Sequence, residues 1–142
     1  MSNESRRVAG VLLIVLPTVM IGGVSLLSML LWEPTYAANP LRQDLWRAGH
    51  AHAGVLLILS LVVLRYVDDA QLSEPGKQFV RLAAPSAAIL LPVAFFLSVL
   101  TPEAREPNGL IYLAYVGAAV LAVGIITLGV GLFRKGPQPH IS

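Results

Sequence analysis

Hydrophobic positions along this chain gather into four long blocks, residues 8–32, 45–66, 79–100 and 110–133, parted by short segments rich in proline and charge. A membrane-crossing helix needs about 20 apolar residues at ~1.5 Å rise to pass ~30 Å of hydrocarbon. Each block meets that length, and no further block of comparable length remains. The pattern predicts an all-α protein, an integral membrane four-helix bundle in up-down topology, with residues 1–142 forming a single transmembrane domain. Pro34, Pro40, Pro75, Gly76, Pro102 and Pro107 punctuate the connections. Such short links make successive helices antiparallel neighbours. The first block exceeds the roughly 7–15 apolar residues of a signal peptide, so it is expected to be an anchor helix.

Charge then orients the blocks. Arg6, Arg7, Arg65, Lys77, Arg81, Arg134 and Lys135 fall on one side, against Arg42, Arg47 and Arg105 on the other. Basic residues favour the cytoplasmic face, which puts both termini inside the cell at the inner membrane. Aromatic residues agree: Trp32, Tyr36 and Trp46 would mark the outer interface, and Tyr66, Phe79 and Phe133 the inner one. The turn holding Asp68, Asp69 and Glu74 is expected to be a solvated cytoplasmic loop.

Composition narrows the function classes. Charged residues are 13% of the chain, about half the share in soluble domains, and mean hydropathy is +0.72, so the lipid bilayer is the first partner. The net charge of +2 is dispersed, which leaves no nucleic-acid footprint. Without cysteine the chain has no disulfides, thiolate metal sites or cysteine nucleophiles.

In the last block Gly117, Gly124 and Gly131 recur every seven residues, the pattern of a helix-packing seam. Pro85 and Pro92 in the third block, and Pro17 in the first, are expected to kink their helices.

The polar residues inside the blocks lie mostly toward the outer ends. Ionisable side chains there point to function, which singles out His50 and His52 in the stretch GHAHAGVLL. Residues two apart are about 200° around a helix, so the two rings serve opposite faces and do not chelate one ion together. Gly54, one turn below His50, is expected to leave room for a flat group, and this favours His50 as ligand or proton-handling residue.

That stretch resembles the H-x-H helix of heme–copper oxidase and nitric-oxide reductase catalytic subunits, whose two histidines bind hemes on opposite helix faces. The resemblance covers about ten residues around His50 and His52. It implies heme or copper at these positions. The whole chain also looks like small four-span bacterial membrane proteins, which implies no particular activity.

Three functional readings follow. In the first, His50 and His52 bind heme or a transition metal in the outer leaflet as part of a redox complex. Met29 (or, deeper, Met20), Glu33 or Glu103 supplies a further ligand, or a homo-oligomer supplies a second histidine. Arg47, Asn108, Tyr112 and Tyr115 would line that pocket. In the second, the chain is an accessory subunit of a larger membrane complex. In the third, it is a metal-free enzyme or proton-coupled carrier using His50.

Overall fold

A computed structural model describes residues 1–134; Lys135, counted among the basic residues above, lies outside the described residues. The chain folds into helices α1 (Asn3–Trp32), α2 (Pro34–Ala37), α3 (Pro40–Tyr66), α4 (Glu74–Ser98) and α5 (Leu113–Phe133), with a 3-10 turn at Gly109–Tyr112. Four of these helices are long and apolar enough to cross a membrane.

Each long helix except α5 starts earlier than its apolar block, because a polar residue caps it. Ser2, Asn39 and Ser73 accept hydrogen bonds from the backbone N–H of Ser5, Arg42 and Gly76, which would otherwise be left open. Each such cap contributes about 1 kcal/mol. Proline in the first turn of α3 and of α4 costs no hydrogen bond there. At its far end α4 stops at Ser98, short of the apolar block, and the next carbonyls turn to a side chain described below.

The helices pack as neighbours in chain order, α1 on α3, α3 on α4 and α4 on α5, with the ring left open between α1 and α5. Half of the most apolar stretch of α4 is buried within the protein, against 6% of that of α1. So α4 is the central helix and α1 the peripheral one. Leu57 and Leu64 of α3 meet Leu12 of α1 in one core cluster, while Leu56 meets Ala87 and Leu91 of α4 in another.

Gly117 and Gly124 of the glycine stripe lie in the α4–α5 interface, and Gly131 lies against the α3–α4 turn. A methyl group at Gly117 would collide with Leu91, one at Gly124 with Ala83, and one at Gly131 would stand 2.7 Å from Leu72. Missing side chains let the two backbones close up, and dispersion contacts accumulate over that seam.

At the end shared by the α1 N-terminus and the α3–α4 turn, the expectation of a solvated acidic loop fails for Asp68. Arg81, buried on α4, reaches Asp68 Oδ1 at 2.9 Å, Glu4 Oε2 at 2.8 Å and Ser5 Oγ at 3.2 Å. The Ser2 backbone N–H donates to the other Asp68 oxygen at 2.6 Å. A charge that leaves water must be paired and hydrogen-bonded, and this buried arginine meets that demand by drawing in α1 and the turn. Burial pushes the Asp68 carboxyl pKa up. The Arg81 guanidinium and the Ser2 N–H outweigh that, with the Ser5 and Ser2 hydroxyls adding to them, and hold it well below the usual carboxylate range. Asp69 stays exposed and pairs with Arg65.

Candidate functional site

α3 carries Gln43, Arg47 and His50 at spacings of four and three, so all three side chains fall on one stripe. That stripe faces α1. The His50 ring lies over Gly22 and Gly23, so closely that a methyl at Gly23 would stand 2.9 Å from Nε2. Two consecutive residues without side chains thus make the seat for one imidazole. Gly54, by contrast, faces Val19 of α1, so the space for a flat group expected there is taken by a valine.

Above the seat the two helices diverge, and a crevice of about 260 Å³ opens between them. Leu26, Leu27 and Leu30 of α1 form its apolar wall. Tyr36, Gln43, Arg47 and His50 form its polar wall. Tyr36 comes from α2, the single turn that Pro34 starts after α1 ends. Its ring is buried and tilts against Trp46 with centroids 5.6 Å apart.

The hydrogen-bonding capacity of this wall is unevenly used. Gln43 commits its amide N–H groups to the carbonyls of Tyr36 and Ala37 at 3.1 and 2.9 Å, which fixes α2 on α3. Arg47 donates to the Gln43 carbonyl and to Asp44 Oδ1 at 2.7 Å, an exposed pair. Among the described residues the His50 ring and the Tyr36 hydroxyl have no hydrogen-bond partner, and both residues line the crevice. Burial raises the Tyr36 phenol above its ordinary pKa, against the pull of Arg47 and then Arg42. The phenol therefore stays protonated and can donate.

His52 serves the other face, as the helical angle between the two rings requires. With Nδ1 protonated it donates to the Ala48 carbonyl at 2.7 Å, and its ring tilts against Phe95 of α4. The two histidines do not share a site.

Nor do the other anticipated ligands join His50. Met29 lines a separate groove on α1 with Met20, Ser25 and Ser28. Glu33 ends α1 and accepts from the Thr35 hydroxyl at 2.9 Å. Glu103 is exposed beside Arg105 in a wider groove between the two loops of the histidine end. Asn108 caps the 3-10 turn and donates to the Leu97 carbonyl, a structural task. Tyr112 and Tyr115 form an exposed pair at the start of α5. Of the residues expected to line a pocket with His50, only Arg47 does so. Among the described residues no three histidine or carboxylate side chains come together to hold a metal ion.

The sequence reading missed two residues that build this end. Arg42, buried, donates to the Val99 and Leu100 carbonyls at 3.1 and 3.3 Å, capping the C-terminus of α4, and its guanidinium lies 4.4 Å from the Trp46 ring. Tyr36 counted there only as an interface aromatic. For the crevice wall a signal was present, since the spacing 43, 47, 50 marks one stripe of α3. None pointed to Tyr36, which reaches that stripe only because α2 folds back.

No protein-family model, curated protein or solved structure matches this chain.

Proposed function

We propose that this is an integral membrane protein of the bacterial inner membrane, with both termini cytoplasmic, whose α1–α3 crevice binds the polar head of a membrane-soluble ligand in the outer leaflet. The observation that carries the reading is the unpartnered pair of polar groups, His50 and the Tyr36 hydroxyl, bordering a crevice with a leucine wall. Both groups are open at the surface, where a ligand or water can complete their hydrogen bonds. Small-ligand sites share this make-up, mostly apolar with a few convergent polar groups. His50 is the group that exchanges hydrogen bonds, and at need a proton, with the head.

A heme or copper ion at His50 is the narrower version of this reading. The crevice is smaller than the roughly 300–1,000 Å³ usual for cofactor sites, and Met29, Glu33 and Glu103 stand elsewhere. A second copy of the chain would have to supply the missing ligand. An accessory role in a larger complex draws support from α1, which is packed along one side only.

The test is native mass spectrometry of the protein released from membranes in mild detergent. The expected result is a retained small-molecule adduct that disappears in His50→Ala and persists in His52→Ala. An adduct-free protein, or an adduct indifferent to His50, would sink the reading. A Soret band or stoichiometric copper lost with His50 would select the metal version. Because the chain has no cysteine, orientation is tested separately. An impermeant maleimide should label Glu106→Cys in intact cells and should leave Gln78→Cys unlabelled.

A further inference from the structure

The crevice also carries information about which head it takes. Its lining holds one cation, Arg47, and no carboxylate. Tyr36 offers an accessible, unpartnered hydroxyl, His50 at least one ring N–H, and Arg47 the guanidinium N–H groups its partners leave over. Gln43 commits its amide N–H groups to the Tyr36 and Ala37 carbonyls and keeps its amide oxygen open. A carboxylate, Asp44, stands outside at the mouth and holds Arg47 by an exposed pair, a kind of contact that water and competing anions weaken readily. A crevice lined by these three residues of α2 and α3 together with leucines of α1 matches a head made of several oxygen acceptors attached to an apolar chain.

Resting on the reading above, we propose that the α1–α3 crevice is selective for amphiphiles with an anionic oxygen head, of phosphate or carboxylate type, whose apolar chain runs along the leucines of α1. Arg47 leaves Asp44 and turns onto the anion, and the Tyr36 hydroxyl and His50 ring N–H complete its hydrogen bonds. A charge-assisted contact to arginine is about twice as strong as a neutral one, which is the basis of the selectivity.

The test titrates the full-length protein in neutral detergent with dioleoyl phosphatidic acid, dioleoyl phosphatidylcholine, decyl-ubiquinone or inorganic phosphate, and reads occupancy by native mass spectrometry. Phosphatidic acid is expected to bind at least tenfold more tightly than the zwitterionic lipid. Arg47→Gln and Tyr36→Phe each reduce that preference several-fold, and Asp44→Asn, which frees Arg47, increases it. Arg105→Gln, in the neighbouring loop groove, leaves it unchanged. Thermal midpoints of the variants, measured alongside, separate lost binding from lost folding. Equal binding of the two lipids, or a preference that Arg105→Gln abolishes as fully as Arg47→Gln, overturns the proposal. Inorganic phosphate competing on equal terms assigns the subsite to the free ion and likewise overturns it. Binding of the neutral quinone alone overturns the anionic preference and leaves the function reading standing; retention of no amphiphile at all overturns both.

Discussion

At the scale of single residues, the chain uses long polar side chains to close helix ends whose carbonyls lack a partner in the helix. Arg42 illustrates this: its donors meet two carbonyls past the last turn of α4. Arg42→Ala would leave both acceptors without their partner, at about 1–3 kcal/mol for each that stays dry. A clear fall in thermal midpoint is expected, whereas Arg105→Ala, on an exposed loop residue, should change it little. The seat of His50 makes an equally local prediction. Gly23→Ala puts a methyl 2.9 Å from the ring. The ring must leave, so ligand retention should be lost while the helices remain folded, as circular dichroism would check. That the two histidines face apart was readable from helical geometry. Which neighbour each one faces was not, because that depends on how α3 is rotated, and the rotation is set by Gly22 and Gly23 on another helix.

At the scale of elements, the α4–α5 seam separates two kinds of glycine. Gly124 is buried against Ala83, whereas a methyl at Gly129 would meet nothing within 4 Å. Overpacking costs about 1–3 kcal/mol, and replacing an open helical glycine by alanine gains up to about 1 kcal/mol. Gly124→Ala should therefore lower the thermal midpoint, and Gly129→Ala should hold or raise it. The seven-residue spacing of Gly117 and Gly124 marked this seam before any coordinates did. The helix blocks were legible for the same reason, since crossing hydrocarbon imposes a length and a composition. Helix starts were less so: capping turns are polar, and hydropathy alone cuts them off.

At the scale of the whole molecule, the two ends of the helix array work differently. One end is cross-braced by Arg81, Asp68, Glu4 and Ser2, drawn from segments far apart in the chain. Nothing in the sequence distinguishes these from ordinary interfacial charges, which is why the brace was illegible there. Its pH dependence has a definite sign. Asp68 has a depressed pKa in the folded protein, so its contribution is complete above the unfolded carboxylate value of about 3.9 and fades as pH falls below it. Asp68→Asn should destabilise the protein at pH 7, with a difference from wild type that shrinks on strong acidification, as unfolding midpoints between pH 7 and pH 2 would register. The other end is where α1 and α3 part around the crevice. The buried contacts of α1, Ser5 and Leu12, all sit in the half nearest the brace. Toward the crevice α1 is held instead by the His50 seat and by α2, which Gln43 ties to α3, and its leucine face there has no buried residue. Under the proposed function, a guest from the bilayer would enter across that leucine face, leaving the α3–α4–α5 slab undisturbed.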